Sequence, residues 1–417
     1  MNHSAEPGIV IIGLGPAGLA ALEGVRDHDA DVPVTIVSGE PHYAYFRPRL
    51  SHLLGSEIVP QQIAVKPRAW YDERRAQVLL GRAARAIDTR HRVVVLDDGA
   101  RLPARAVVLA CGSSPFVPPL PGRDRDGVFS LRTAADAQAI TEACRHARTI
   151  CVVGAGPLGL EAAWALAKLD LEVHLLEHGP RLLAKMLDEP ASRMLADIVT
   201  RAGIELHLAA SSESVTPEGV RLADGRNVPG QVVLFSTGVR PNLELARSAG
   251  ISVNRGVVVD ANMRTSEPWV FAAGDVAEFA GVPGGTWPVA MGQGKVAGAN
   301  AARAGVADTL TEYSAVPPSY TLMVMGTRIF TIGEVQTQED VGLATVISED
   351  EARGIRRKLV LRGGKLMGGL LFGDLAKSDK IRDGVERGVE LPVAEAGAAP
   401  DYAQVMEMLV GALAAGV

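Results

Sequence analysis

The strongest constraint on the fold of this chain is a glycine-rich pattern that occurs twice. Residues 9–18 read IVIIGLGPAG and residues 149–159 read TICVVGAGPLG, so an apolar, β-branched run precedes three glycines in GxGxxG spacing each time. In such a pattern the first glycine allows a tight turn, the second admits a pyrophosphate, and the third lets a helix pack against the strand. The two copies therefore predict two dinucleotide-binding units in one chain.

The first copy has the full context of a binding unit. Residues 9–12 are typical of a strand buried on both faces, and residues 34–37, VTIV, of a second parallel strand. The intervening helix presents its N-terminal N–H groups to phosphate, and Glu40 follows the second strand, where a carboxylate commonly binds ribose hydroxyls. The residues predicted to bind the cofactor here are Gly13, Gly15, Pro16, Ala17, Gly18 and Glu40.

The second copy repeats this arrangement up to residues 172–177, EVHLLE, which end in an acid. The charge of Glu177 favours NADH, because a carboxylate binds a 2′-hydroxyl and repels a 2′-phosphate. Arg181 lies close enough in sequence to keep NADPH possible. The residues predicted to bind the nicotinamide dinucleotide are Gly154, Gly156, Pro157, Leu158, Gly159 and Glu177.

The composition of the chain argues against several other classes of function. A net charge of -6 argues against a general nucleic-acid binder. The polar start, MNHSAEPG, has no secretion-signal pattern, and no apolar run reaches the roughly 18 residues of a membrane span, so we expect a cytoplasmic protein. The cysteines, Cys111, Cys144 and Cys151, form no CxxC pair and no metal-binding pattern, so we expect no metal and redox chemistry on an organic cofactor.

Three further segments extend the pattern. They are residues 107–122, VVLACGSSPFVPPLPG, residues 233–242, VLFSTGVRPN, and residues 257–276, VVVDANMRTSEPWVFAAGDV. With the two glycine patterns, in this order, they resemble the pyridine nucleotide–disulfide oxidoreductase superfamily over residues 8–310. The resemblance implies that the first unit binds FAD and the second NAD(P)H, in an α/β fold of two Rossmann-like domains of the glutathione reductase type.

The same resemblance implies a division into domains. The FAD domain is expected to comprise residues 1–115 and 241–312, with the NAD(P)H domain, residues 116–240, inserted into it. A small α+β domain of the rubredoxin reductase type is expected at residues 313–417. Its sequence indicates strands joined by glycine turns, among them the hairpin turn RGGK, and a final helix from residue 401.

Individual roles also follow from the resemblance. Asp275, after Gly274, matches an aspartate that bonds the ribityl chain of FAD. Glu161 matches a glutamate that stands near the nicotinamide and the flavin and helps to order them. The other matching cofactor positions are Ala84, Ala110, Cys111, Gly112, Arg132 and Gly238, with Cys111 in place of the family's usual threonine.

The loop after the second strand distinguishes subfamilies. It reads EPHYAYFRPRLSHLL over residues 40–54 and has none of the cysteines by which disulfide reductases of the superfamily act, so a thiol relay there is excluded. Its RPRLS segment resembles NADH:rubredoxin reductases, the flavin portion of NADH nitrite reductases and oxygenase-type ferredoxin reductases. Arg47 and Pro48 match positions that approach the flavin, and a cation there can stabilise the charge of reduced flavin.

The resulting expectation is an FAD enzyme that takes hydride from NADH and passes electrons to a small redox protein such as rubredoxin. An NADH oxidase that forms hydrogen peroxide is one alternative, and an electron-input subunit or a redox-dependent association flavoprotein is another. Both a monomer and a homodimer remain possible. A basic cluster at residues 353–365 is either a surface that steers an acidic carrier or an ordinary solvated strand.

Overall fold

The computed structural model describes residues 7–55, 58–304, 310–336, 342–392 and 401–415. The chain divides into two compact units. The first unit contains Met1–Arg49, Glu57–Ser114 and Val239–Ala315. The second unit contains Leu50–Ser56, Pro115–Gly238 and Val316–Val417.

Strands are numbered along the chain. The early strands are β1 (Gly8–Ile12), β2 (Val34–Ser38), β3 (Ala76–Leu80), β4 (Ala84–Asp88), β5 (Val93–Leu96), β6 (Arg101–Leu109), β7 (Ser113–Pro115) and β8 (Val128–Ser130). The middle strands are β9 (Thr149–Val153), β10 (Glu172–Leu176), β11 (Glu205–His207), β12 (Ser212–Thr216), β13 (Gly219–Leu222), β14 (Asn227–Pro229), β15 (Val232–Phe235) and β16 (Val239–Pro241). The late strands are β17 (Val257–Val259), β18 (Val270–Ala272), β19 (Ala277–Phe279), β20 (Val282–Pro283), β21 (Ser319–Val324), β22 (Thr327–Gly333), β23 (Leu343–Asp350), β24 (Ile355–Arg362) and β25 (Lys365–Phe372).

The helices are numbered in the same way. They are α1 (Pro16–His28), α2 (Arg68–Glu73), α3 (Ala134–Cys144), α4 (Pro157–Ala167), α5 (Glu189–Arg201), α6 (Glu244–Ser248), α7 (Trp287–Arg303), α8 (Ser378–Arg387) and α9 (Tyr402–Ala414). In the part of the chain that the structure describes, no helix combines the length and the apolar character that crossing a membrane requires.

The first unit is built on a sheet in the order β3-β2-β1-β6-β5-β4, with β18 beside β6. Strands β1, β2, β3, β6 and β18 are parallel, and α1 follows β1 as the glycine pattern predicts. Helix α7 packs on α1 with backbones in near contact. A Cβ on Gly294 would lie 2.3 Å from the carbonyl oxygen of Ala17, and one on Gly298 would lie 2.0 Å from that of Ala21. Small residues are therefore required where these helices meet.

The second unit contains a parallel sheet in the order β11-β10-β9-β15-β8 and an antiparallel meander, β12-β13-β14. Alternate side chains of β9, β10 and β15 pack against the meander and close an apolar layer around Cys151, Leu176 and Phe235. The two parallel sheets, in which the glycine patterns directly follow β1 and β9, confirm the predicted fold class of two Rossmann-like regions.

The last part of the second unit is an antiparallel sheet in the order β21-β22-β25-β24-β23, covered by α8 and α9. The predicted hairpin turn is present, because Gly363 and Gly364 have φ values of 55° and 84° between β24 and β25. The final helix is also confirmed, as α9. Strand β23 and helix α8 were not predicted, although β23 pairs with β24 along its whole length.

The basic cluster of residues 353–365 is divided by the strand it lies on. Arg356 and Lys358 are each only 4% exposed. Arg356 Nη2 lies 2.6 Å and Lys358 Nζ 3.6 Å from Oδ2 of Asp188, which also caps the N-terminus of α5. A second carboxylate, that of Glu349, pairs with Arg356 from β23. The expectation of a solvent-exposed basic surface is therefore wrong for Arg356 and Lys358, because both point to a buried acid.

We predict that Asp188→Asn lowers the free energy of unfolding by about 3 kcal/mol, because it leaves two buried cations with one partly exposed carboxylate. Burial alone would raise the pKa of Asp188, but the hydrogen bond and charge of Arg356 lower it. The stabilisation is then present above the ordinary carboxyl range, and the difference between the two proteins should shrink as the pH falls below about 4. Urea unfolding of both proteins at several pH values, followed by circular dichroism, measures this difference in the free energy of unfolding.

The matched control is Glu189→Gln on the same helix. Glu189 pairs with Arg193 at 2.5 Å, but both side chains are more than half exposed. A change within about 0.5 kcal/mol is expected for this surface pair. Equal losses in the two variants would contradict the assignment of a buried network to Asp188.

Candidate functional site

The first glycine pattern forms a cradle whose shape the chain itself enforces. Gly13 has a φ of 109°, and a Cβ there would lie 2.1 Å from the carbonyl oxygen of Ala110. A Cβ on Gly18 would lie 2.0 Å from the carbonyl oxygen of Gly13. At Gly15, by contrast, no atom of the described residues other than its chain neighbours lies within 4 Å of that position. The outer glycines are thus required by packing, and the middle one leaves room for a ligand.

The second pattern has the same construction. Gly154 has a φ of 105°, and a Cβ there would lie 2.4 Å from the carbonyl oxygen of Ser236. A Cβ on Gly159 would lie 2.0 Å from the carbonyl oxygen of Gly154, whereas Gly156 is open in the described structure. This repetition fits the residues of both cradles to a pyrophosphate that approaches the backbone at the middle glycine.

Each cradle opens onto the start of a helix. Helix α1 begins at Pro16 and α4 at Pro157, so Ala17 and Leu158 occupy the first turns. The N-cap residues are Gly15 and Gly156, which have no side chain that could accept a hydrogen bond from these turns. The first-turn N–H groups and the positive end of the helix dipole are therefore available to an anion.

Glu40, the predicted ribose-binding acid of the first cradle, lies in a small charged network. Nη2 of Arg47 lies 2.5 Å from one carboxylate oxygen, and the Tyr45 hydroxyl donates to the other at 2.5 Å. Arg47 also lies in the electrostatic field of Asp275. Pro48 follows directly in the 3₁₀ segment Arg47–Leu53. The sequence did not reveal the pairing of Arg47 with Glu40, which holds the cation beside the acid that follows β2.

Asp275 is held next to the first cradle. Gly274, with a φ of 78°, approaches the helix start so closely that a Cβ would lie 2.9 Å from Cβ of Ala17. The Ser113 hydroxyl donates to Oδ2 of Asp275 at 2.7 Å, and the N–H of Gly274 donates to Oε1 of Gln293 at 2.9 Å. Sequence reasoning missed Ser113 and Gln293, since only the fold brings them to this turn.

The Ala110-Cys111-Gly112 segment lies against the same cradle. The N–H of Ala110 donates to the carbonyl oxygen of Ile12 at 2.8 Å. The side-chain amide of Asn242 donates to the carbonyl oxygen of Cys111 at 2.8 Å, and its backbone N–H donates to the carbonyl oxygen of Gly112 at 3.0 Å. Burial raises the pKa of the Cys111 thiol to about 11, so the thiol stays protonated near neutral pH.

Ala84 lies at the start of β4, after the turn that leaves β3. In that turn the N–H of Gly81 donates to the carbonyl oxygen of Glu40 at 3.0 Å, and the N–H of Arg82 to that of Ser38 at 2.9 Å. The structure therefore places Ala84 three residues from Gly81, which contacts the backbone of Glu40, the predicted ribose-binding acid.

Glu177 is fixed at the second cradle by backbone donors. The N–H of Gly179 donates to Oε1 at 2.7 Å, and the N–H of Ala155 donates to Oε2 at 3.2 Å. The backbone N–H of Glu177 donates in turn to the carbonyl oxygen of His207 at 2.8 Å. The carboxylate is thus held beside the glycine turn, where a ribose would be recognised.

Glu161 lies two residues beyond Gly159, on the first turns of α4. The Ser51 hydroxyl donates to its Oε2 at 2.8 Å. Burial raises the pKa of Glu161 to about 7, and the Ser51 hydrogen bond opposes this rise. Sequence patterns could not predict this pairing, because Ser51 is 110 positions from Glu161.

The two remaining predicted positions lie elsewhere in the second unit. Gly238 has a φ of 98° after β15, and its carbonyl oxygen accepts a hydrogen bond from Phe116 at 2.9 Å. Arg132 precedes α3, and its N–H donates to Asp136 at 3.0 Å. The predicted cofactor-binding roles of Gly238 and Arg132 therefore stay predictions.

Two similar cradles, each followed by a held carboxylate, are typical of a protein that binds two dinucleotides. Comparison with known families matches residues 7–294 to the pyridine nucleotide-disulphide oxidoreductases and residues 318–389 to the rubredoxin NAD+ reductase C-terminal domain. The chain belongs to the pyridine nucleotide-disulphide oxidoreductase family. The predicted enzyme class and the predicted cofactors, FAD and NADH, are thereby confirmed.

The chain is similar to several curated proteins. The anthranilate 1,2-dioxygenase system ferredoxin–NAD(+) reductase component of Burkholderia cepacia is 32% identical over 430 residues, with 98% of each chain covered. The NADH-rubredoxin oxidoreductase of Clostridium acetobutylicum is 27% identical over 380 residues, with 91% of this chain and 94% of that protein covered.

A further relative is the assimilatory nitrate reductase electron transfer subunit of Bacillus subtilis (strain 168). It is 32% identical over 392 residues, which cover 93% of this chain but 50% of that protein. The chain therefore spans about half the length of this relative. Among solved structures, the ferredoxin reductase for the CYP199A2 system from Rhodopseudomonas palustris has the same fold, with a TM-score of 0.83 and 24% identity over 92% of this chain and 96% of that chain.

We predict that the rate of flavin reduction by NADH rises through a midpoint near pH 7 and that Glu161→Gln removes this rise. Above its pKa the carboxylate is charged and can stabilise the positive charge that develops on the nicotinamide. At an effective dielectric constant near 20, two unit charges about 4 Å apart attract by about 4 kcal/mol. If about a third of a unit charge develops in the transition state, the carboxylate contributes about 1.4 kcal/mol, or about a tenfold rate. Stopped-flow absorbance under nitrogen at several pH values measures the rate of flavin reduction.

Ser51→Ala is the matched variant. It keeps the carboxyl group but removes a hydrogen bond to the charged form, so the midpoint should move to higher pH. An unchanged midpoint in Glu161→Gln would show that another group titrates.

We also predict that Glu177→Ala reduces the preference for NADH over NADPH by about 10- to 100-fold, the worth of charge-assisted hydrogen bonds to one ribose. The ratio of kcat/KM values for the two nucleotides measures it. Glu213→Ala, which removes a surface acid of the same unit paired with Arg221 at 3.4 Å, should leave the ratio unchanged. Equal ratios in wild type and Glu177→Ala would contradict the role of Glu177.

Proposed function

We propose that this protein is an FAD enzyme that takes hydride from NADH and passes the electrons to a small electron-carrier protein of the rubredoxin or ferredoxin type. One observation carries the proposal: the flavin cradle has no thiol that can act as acceptor. The chain has no cysteine before Cys111. The thiol of Cys111 is protonated and donates a hydrogen bond to the backbone carbonyl oxygen of Asn242. Electrons that reach the flavin must therefore leave the protein to an external acceptor.

The residues of the first unit divide the work of holding FAD. The N-terminus of α1 would bind the pyrophosphate, Glu40 the adenosine ribose and Asp275 the ribityl chain. The flavin supplies the exchange between a two-electron donor and one-electron acceptors. Arg47 pairs with Glu40 and interacts electrostatically with Asp275. This position between two acids supports a role in binding the pyrophosphate more than a role at the flavin ring.

The second unit would hold NADH in the corresponding way. The N-terminus of α4 would bind its pyrophosphate, and Glu177 its ribose hydroxyls. Glu161 would order the nicotinamide and, when ionised, favour loss of hydride from it. Because both cradles are preformed by glycine contacts, the chain contributes orientation and electrostatics to the transfer.

The C-terminal sheet and its relatives support the choice of acceptor. The family match of residues 318–389 is to a domain named for rubredoxin reductase, and two relatives that align over nearly their whole lengths are named for rubredoxin and ferredoxin. The nitrate reductase relative, which is twice as long as its matched region, supports an electron-input role as the second candidate.

The test separates the acceptors. The FAD-loaded protein is reduced with NADH under nitrogen and then mixed with oxidised rubredoxin, with a [2Fe–2S] ferredoxin or with aerated buffer. We expect one carrier to reoxidise the flavin at least about tenfold faster than oxygen does, with two carriers reduced per flavin, because each takes one electron.

Fast reoxidation by air with accumulation of hydrogen peroxide would instead make the protein an NADH oxidase. Slow reoxidation by every acceptor, together with stable complex formation, would support an electron-input or association role. A flavin band that NADH does not bleach would contradict the assignment of the second cradle.

A further inference from the structure

A cluster of possible metal ligands lies at the edge of the parallel sheet in the second unit. Strands β10 and β11 pair in parallel there, with His174 opposite Glu205 and Leu176 opposite His207. Residues two apart on a strand point to the same face. The side chains of His174, Glu205 and His207 therefore meet on one face, and their ligand atoms all lie within 4.8 Å of one another.

The distances in this cluster match those between ligands of one metal ion. Nδ1 of His174 lies 3.3 Å from Nε2 of His207 and 3.3 Å from Oε2 of Glu205. Nε2 of His207 lies 3.3 Å from Oε1 of Glu205. A tetrahedral zinc ion with bonds of about 2.0–2.1 Å holds its ligand atoms about 3.3 Å apart. The two imidazole nitrogens have this spacing, and Glu205 presents one carboxylate oxygen to each of them at the same distance.

The surroundings of His174 favour a cation. The ring is only 2% exposed, and among the described residues its Nε2 has no hydrogen-bond partner of good geometry. The nearest carboxylate oxygen, Oε1 of Glu172, lies 3.4 Å from Nε2. A histidine that binds metal through one nitrogen usually directs the other to a carboxylate. A hydrogen bond between the two imidazoles would explain their contact but not the convergence of two carboxylates.

The charge balance agrees with this arrangement. Glu172 and Glu205 are both more than half exposed and contribute two negative charges. The nearby cation, Arg226, acts on His207 but is paired with Asp224 at 2.8 Å. Because Glu205 reaches solvent, an ion can enter from that side and keep a water as its fourth ligand.

We propose that His174, His207 and Glu205 bind one divalent transition-metal ion of the zinc type, which fastens the edge strand β11 to β10. Imidazole nitrogens with a single carboxylate suit zinc better than calcium or magnesium, which prefer oxygen ligands alone. The site is structural, and one backbone hydrogen bond links it to the second cradle. The carbonyl group of His207 accepts the hydrogen bond from Glu177, so the metal stabilises the residue that positions this acid.

The test is equilibrium dialysis of the FAD-loaded protein against Zn²⁺ near neutral pH, with the bound metal determined by mass spectrometry. We expect one zinc ion per chain at low micromolar free metal. Glu205→Gln and His207→Asn should each weaken binding by at least about tenfold. Zinc should also raise the midpoint of thermal unfolding in the wild type and not in these variants.

His91→Asn is the matched control. Nδ1 of His91 lies 2.9 Å from Asp88 on the surface, so it offers a histidine and a carboxylate without a third ligand. This variant should bind zinc as the wild type does. An unchanged flavin absorbance band shows that each variant is folded. Absence of stoichiometric zinc in the wild type, or equal binding in Glu205→Gln and His207→Asn, would overturn the proposal, and neither result bears on electron transfer to a carrier.

Discussion

Close contacts between glycines and backbone carbonyl groups determine the shape of both dinucleotide cradles. In each cradle the first and third glycines lie where any side chain would collide with a carbonyl oxygen at 2.0–2.4 Å. These contacts bring the strand, the turn and the helix start together. The helix N-terminus then faces the open middle glycine, where a pyrophosphate can bind. Both predicted cofactor sites are consequences of this one packing arrangement.

The acids beside the cradles are positioned by different means. Glu40 is held by two side chains, Arg47 and Tyr45, whereas Glu177 is held by two backbone N–H groups. A carboxylate paired with a guanidinium is less available to a ligand than one bonded to amides, since the cation competes for its lone pairs. The predicted binding of FAD at the first cradle would therefore require the Glu40 pairs to rearrange or the carboxylate to share its oxygens with the ribose.

Local patterns in the sequence were sufficient to predict the strands, helices and turns of both cradles, because each depends on residues adjacent in the chain. They were also sufficient for the hairpin between β24 and β25. Pairings between distant segments were not predictable. Asp188 meets Arg356 across 168 positions, and Ser51 meets Glu161 across 110. The basic cluster was misread for this reason, since its buried counterion lies in another part of the chain.

A protein of this construction holds electrons only on its flavin, because no thiol of the chain can accept them there. An anaerobic titration of the FAD-loaded protein with NADH, followed through the flavin absorbance band, tests this property. We expect one equivalent of NADH per flavin to complete the bleaching and no further NADH to be consumed. Consumption of two equivalents would show that a second two-electron centre, such as a disulfide, exchanges electrons with the flavin, and the proposed electron path would be wrong.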